Sequence, residues 1–91
     1  MRFEWDEAKR RTNLRLHGFD FADSEKVFAN ATLSLRDDRF NYGETRVLTF
    51  GILNGRVVAI VHTETDEVIR IISFRKAVKN EEEKYFKEIT D

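Results

Sequence analysis

The chain has no cysteine and no proline, and four of its 91 residues are glycine. Without cysteine, a disulfide, a thiolate metal site and a cysteine nucleophile are all excluded. With proline absent, the four glycines carry most of the punctuation. No apolar run approaches the roughly 20 residues of a membrane-spanning helix. The opening Met1-Arg2-Phe3-Glu4-Trp5-Asp6 has no apolar signal core. A soluble cytoplasmic protein with no membrane contact is the expectation. An excess of one charge is also missing: 16 basic and 17 acidic residues leave a net charge of −1. The total therefore says nothing about partners, and the distribution along the chain has to. Two histidines without HExxH spacing argue against zinc. There is no glycine-rich phosphate loop and no G-x-S-x-G elbow. Neither a metal nor another cofactor is expected.

What is present is enough for a core. Hydrophobic residues make up 41% and charged residues 36%, with eight Phe, two Tyr and one Trp. That composition and length predict a single folded domain over residues 1–91.

Local signals divide the chain cleanly. Phe3 and Trp5 alternate with Glu4, as in a short edge strand. Asp6 suits an N-cap, and Glu7 favours the helix dipole. A first helix runs to about His17, with Gly18 as its left-handed end. Asp20 caps a second, short helix through about Phe28, buried through Phe21, Val27 and Phe28. The pattern then changes to period two at Leu33 to Arg36. Residues 37–45 read as a polar loop. Arg46 to Leu53 is a strand, Asn54-Gly55 a type I′ turn, and Arg56 to Thr63 the return strand. Val57 to Val61 is apolar on both faces, which marks a central strand. Residues 64–67 turn, and Val68 to Arg75 comes back. Asn80 with Glu83 suggests a capping box. A last helix reaches about Ile89 and docks through Tyr85, Phe86 and Ile89. The expected fold is α+β: two N-terminal helices, a four-stranded antiparallel meander and a C-terminal helix.

Three groups carry candidate chemistry. Lys9, Asn13 and His17 stand four residues apart on one helical stripe, with Arg10, Arg11 and Arg15 around them. They are placed to grip phosphates, or to form a solvated helix face. Arg70, Ser73, Arg75 and Lys76 lie on the last strand. Strict alternation puts Arg70 and Arg75 on opposite faces. Each calls for an anion, or for a carboxylate such as Glu4 or Glu64. His62 and Glu64 flank the second turn, and either residue type can move protons.

The residues Phe3-x-Trp5-Asp6-x-x-Lys9-x-x-x-Asn13-x-x-x-His17-Gly18-x-x-Phe21 are followed by Val27-Phe28 and then by Arg70-Ile71-Ile72-Ser73-x-Arg75-Lys76-Ala77. This pattern resembles the BrnT family of bacterial toxins over nearly the whole chain. The resemblance implies a RelE-like fold and a ribonuclease toxin of a type II toxin–antitoxin module, which inhibits translation by cutting RNA, free or ribosome-bound. It also implies a BrnA-type ribbon-helix-helix antitoxin as partner, with DNA reached only through that antitoxin. On this reading Arg70 and Arg75 clamp the scissile phosphate, and Glu64 or His62 is the base. Lys9, Asn13, His17 and Lys76 bind RNA. The sequence departs from the family pattern at Leu16, Thr65 and Phe74, where Lys, Arg and Ala are common. Thr65 motivates the competing expectation of a catalytically weak or inactive toxin fold that acts as an antitoxin-binding corepressor. The basic first helix motivates a weaker one, a general nucleic-acid-binding domain.

Overall fold

In a computed structural model, residues 1–39 and 43–90 are described. The order is β1 (Arg2–Trp5), α1 (Glu7–His17), a 3-10 turn (Phe21–Asp23), α2 (Ser24–Phe28), β2 (Leu33–Asp37), β3 (Arg46–Leu53), β4 (Arg56–Glu64), β5 (Val68–Lys76) and α3 (Lys79–Thr90).

Local chemistry explains most boundaries. The Asp6 carboxylate accepts a hydrogen bond from the Lys9 backbone N–H at 3.0 Å and starts α1. Gly18, at φ 77°, ends it by donating its N–H to the Leu14 carbonyl. Asp20 accepts from the Ala22 N–H at 2.9 Å and opens the 3-10 turn. Asn54 and Gly55 both have positive φ, 51° and 79°, as a type I′ turn requires.

Several expectations need correcting. The sheet is five-stranded and mixed, in the order β1-β5-β4-β3-β2. β2 to β5 form the antiparallel meander, and β1 adds in parallel beside β5. A short N-terminal run with two inward aromatic side chains can pair either way, and its direction is set by the crossover through α1. The second helix is a 3-10 turn followed by a five-residue helix, not one continuous element. Asp37 belongs to β2 and is buried, so the expected loop begins later; part of that loop, residues 40–42, lies outside the described residues. Finally, α3 begins at Lys79, and the Glu81 carboxylate reaches back to the Val78 N–H at 2.9 Å. The expected Asn80–Glu83 cap is thus replaced by one that starts two residues earlier. No helix among the described residues is long and apolar enough to cross a membrane.

The sheet separates two apolar clusters. On one face Phe21, Val27, Val58, Ile60, Ile71 and Phe74 pack under α1 and α2, joined by Phe3, Trp5 and Phe28. On the other, Phe50, Val57, Ala59 and Ala77 pack under Tyr85 of α3. Tyr85 is 3% exposed, whereas Phe86 is 47% and Ile89 37% exposed. α3 therefore docks through Tyr85 rather than through all three aromatic and aliphatic residues expected. The α3 cluster covers the end of the sheet near the Asn54–Gly55 turn. The far end of that face, toward Thr63 and Arg70, is polar.

Candidate nucleic-acid interface

The polar end of the α3 face depends on one irregularity. Val61 pairs with Ser73, but the next residue, His62, pairs with Ile71. Ile72 is thus an extra residue in β5, a β-bulge. Arg75 stands opposite Ala59, Ser73 opposite Val61 and Arg70 opposite Thr63. Ala59, Val61 and Thr63 share one face of β4. Arg70, Ser73 and Arg75 therefore share it too. The alternation that would have sent Arg70 and Arg75 to opposite faces is cancelled by the bulge.

Each arginine is held by a carboxylate. Arg70 Nη1 donates to Glu4 Oε2 at 2.8 Å, across the β1–β5 pair. Arg75 donates through both Nη atoms to the two oxygens of Glu81, at 2.8 and 3.0 Å. That guanidinium is the main cause that holds the Glu81 carboxyl below its usual range, against the opposing effect of burial. Arg39 and Arg46 border the same face. Arg39 donates to both oxygens of buried Asp37, at 2.8 and 3.0 Å. Arg46 lies opposite Asp37 in the register and donates to Glu44. Only the pairing of β2 with β3 brings them there, so no local signal marks them. Lys76 lies opposite Val58, which puts it on the α1 face, away from Arg75.

Lys9, Asn13 and His17 do come together. With Leu16 and Ile72 they line a shallow hollow of about 290 Å³ between α1 and the bulge. Their parts differ. Lys9 and His17 are exposed, while Asn13 is buried. The Asn13 Nδ2 donates to the Phe74 carbonyl at 2.7 Å and to the Phe19 carbonyl at 3.1 Å. Its Oδ1 accepts from the Phe74 N–H at 3.1 Å. The carboxamide is spent on backbone and is not offered to a ligand. Ile72 is the meeting point: it lines the hollow, and the next residue, Ser73, is on the other face with Arg70.

His62 and Glu64 are not part of this arrangement. His62 is 1% exposed and faces α2, with its ring edge-on to Phe28 at 5.1 Å. Its Nε2 pairs with Thr49 Oγ1 at 2.7 Å, which in turn pairs with Ser34 Oγ at 2.7 Å. Burial pushes the imidazole below its ordinary value, more than the Glu64 charge and the Thr63 backbone raise it. Glu64 lies opposite Ile69 and lines a separate hollow of about 520 Å³ with Phe28 and Ser34. The sheet stands between these two residues and the arginines. The four residues expected to act together therefore divide two and two. Among the described residues no cluster of three or more His, Cys, Asp or Glu is arranged to hold a metal.

This arrangement has relatives. Residues 5–81 match the family described as the ribonuclease toxin BrnT of type II toxin–antitoxin systems. The 1.1 Å crystal structure of the Brucella abortus ribonuclease toxin BrnT is similar to this chain, with a TM-score of 0.65 and 30% identity. The match covers 87% of this chain and 99% of that one. No curated protein matches.

Proposed function

This chain belongs to the BrnT family of ribonuclease toxins from type II toxin–antitoxin systems, and from that premise we propose that it is a metal-independent endoribonuclease. Its RNA site is the bulged part of β5 with the adjoining hollow. The observation that carries this reading is the shared face of Arg70, Ser73 and Arg75, created by the extra residue Ile72. Guanidinium forks match phosphate oxygens in pairs, so two of them on one face suit a phosphodiester better than two apart.

In the proposed reaction the ribose 2′-oxygen attacks the neighbouring phosphorus. The 2′-hydroxyl proton is withdrawn, the bond from phosphorus to the 5′-oxygen breaks, and the leaving oxygen takes a proton. The products are a 2′,3′-cyclic phosphate and a 5′-hydroxyl. Arg70 and Arg75 hold the attacked phosphate in line and stabilise its developing charge. Lys9 and His17 take flanking phosphates across the hollow. His62, buried and kept neutral, acts as a structural hydrogen-bond partner of Thr49 rather than as the base. Glu64 does not face the phosphate. Cleavage of RNA, free or on the ribosome, stops translation in the cytoplasm. A BrnA-type ribbon-helix-helix antitoxin neutralises the toxin and is its only link to DNA.

The test is cleavage of an end-labelled single-stranded RNA by purified protein in EDTA, with the cyclic phosphate identified among the products. Arg75→Ala is expected to lower the rate about 10²–10³-fold, the cost of losing one donor to a developing oxyanion. Unchanged cleavage by that variant would remove Arg75 from the mechanism.

A second reading has its own support. Arg70 and Arg75 are both engaged by carboxylates. A chain that keeps them so would bind its antitoxin and act as a corepressor without cutting RNA. Inducing the chain alone in bacteria separates the two readings. Growth arrest supports the enzyme, and normal growth with soluble protein supports the corepressor.

A further inference from the structure

β1 accompanies β5 from Val68 to Ile71 and ends there. Beyond that point no strand lies on the outer edge of β5 among the described residues. This is the stretch that holds the bulge, Ser73 and Arg75. A bulge leaves its extra residue unpaired and disrupts the ladder locally, so its position along the strand has to be fixed. Sliding the extra residue by one position would put Ile72, in place of Ser73, beside Val61. Two backbone groups of Phe74 would also be left without partners inside the protein, at a cost.

Asn13 answers both problems. Its carboxamide accepts from the Phe74 N–H and donates to the Phe74 carbonyl, as a neighbouring strand would. The peptide unit is planar. The Phe74 N–H lies in the plane that joins the Cα atoms of Ser73 and Phe74. The Phe74 carbonyl lies in the plane that joins those of Phe74 and Arg75. Holding both planes sets the directions in which the Ser73 and Arg75 side chains leave the strand. The third hydrogen bond, to the Phe19 carbonyl, fixes the carboxamide itself. The Phe19 ring stacks on Phe74 at 5.2 Å and closes the arrangement. No other side chain of this length both donates twice and accepts. An aspartate would turn a charge toward two carbonyl oxygens, and a serine falls short.

We infer that Asn13 is a positioning residue of the RNA site: it replaces the missing strand, holds the bulge at Ile72 and keeps Ser73 and Arg75 on the face of Arg70. The inference rests on the RNA reading of that face. It reassigns Asn13 from contact with RNA to control of the residues that make contact.

A double-mutant cycle tests it, with binding of a labelled single-stranded RNA oligonucleotide read by fluorescence anisotropy. Asn13→Ser, Arg75→Ala, Lys9→Ala and the two doubles that contain Asn13→Ser are compared. Asn13→Ser and Arg75→Ala each weaken binding by about tenfold, the weight of one charge-assisted contact. The Asn13→Ser/Arg75→Ala double binds no more weakly than Arg75→Ala alone, whereas the Asn13→Ser loss persists in full in Lys9→Ala. If the loss is the same factor in both backgrounds, Asn13 has a general structural role and the inference is overturned while the RNA site stands. If Arg75→Ala binds RNA like the wild type, the RNA reading of Arg75 falls and takes the inference with it. Thermal melts accompany each variant. Should Asn13→Ser not fold, Asn13→Gln, with the same donors and acceptor on a longer stem, runs the same cycle with the same outcomes.

Discussion

Arg75 and Glu81 meet through two parallel hydrogen bonds, Nη1 to Oε1 at 2.8 Å and Nη2 to Oε2 at 3.0 Å. The pair ties the last strand to the first turn of α3. Glu81 also accepts from the Val78 N–H, so one carboxylate both starts the helix and neutralises the cation. A phosphate would need the same guanidinium fork, so on the proposed reading RNA would compete with Glu81 for Arg75.

Glu81→Gln is expected to relieve that competition. The glutamine oxygen still accepts from the Val78 N–H, but the charge opposite Arg75 is gone. RNA affinity at low salt rises by about fivefold, the equivalent of about 1 kcal/mol for a partly exposed pair. Glu82→Gln changes net charge by the same amount and serves as the comparison in an anisotropy titration. Equal gains from both variants would mean that net charge, not the Arg75 pair, sets affinity.

Stability is expected to fall in mild acid because of His62. Burial lowers its folded pKa from the ordinary 6.5. As pH drops below 6.5, the unfolded chain takes up a proton that the folded imidazole refuses. The stabilisation is complete above that value and is lost progressively as pH falls toward the lowered one. The slope approaches about 1.4 kcal/mol per pH unit. Chemical denaturation between about pH 7.5 and about pH 5 reads it, above the range in which carboxylates titrate. His62→Gln, which does not titrate, flattens the curve; an unchanged slope would assign the effect to another group.

Gly51 is required for close packing of α2 on β3. A Cβ there would stand 2.5 Å from Val27 Cγ1 and 3.4 Å from Thr32 Cγ2. Val27 is fully buried and its branched side chain has little room to turn. Gly51→Ala is expected to destabilise the fold by about 1–3 kcal/mol through overpacking. Equilibrium urea denaturation measures the loss, and wild-type stability would show that α2 moves aside at no cost.

Tyr85 anchors α3 by its ring and by its hydroxyl, which donates to the Ala31 carbonyl at 2.9 Å. Tyr85→Phe removes the hydrogen bond alone and costs about 0.5–1.5 kcal/mol. Tyr85→Ala removes the ring as well and costs about 3–5 kcal/mol, by comparison with other buried aromatic truncations. Thermal melts of the two variants separate these contributions. Matching losses would place the whole anchor in the hydroxyl.

The legible part of this protein is the part encoded by neighbours in the chain. Asp6, Gly18 and the Asn54–Gly55 pair act on the backbone within a few residues, through caps and positive φ. The period-two pattern of β2 and the apolar run of β4 pointed to the meander and its central strand. For the strand arginines the sequence leaves open an anion or a carboxylate such as Glu4 or Glu64, and Glu4 meets Arg70. The site was less legible. Helical spacing puts Lys9 and His17 on one stripe, and they share a hollow. His62 and Glu64 drew notice by residue type, but parity within β4 sends His62 to the opposite face from Arg70 and Arg75. Asn13 sat on the same stripe as Lys9, and nothing in the spacing shows that its carboxamide faces inward.

By itself the sequence determined most of the elements, both ends of α1 and the hairpin turn, because those follow from local hydrogen bonding and backbone preference. Only the tertiary structure decided which way β1 pairs, where β5 takes its extra residue, and which carboxylates the arginines meet. Each of these joins residues far apart in the chain, Asn13 to Phe74 and Glu4 to Arg70, so packing chooses the partner. A bulge of one residue leaves composition and periodicity almost unchanged, yet it moves two cations onto one face.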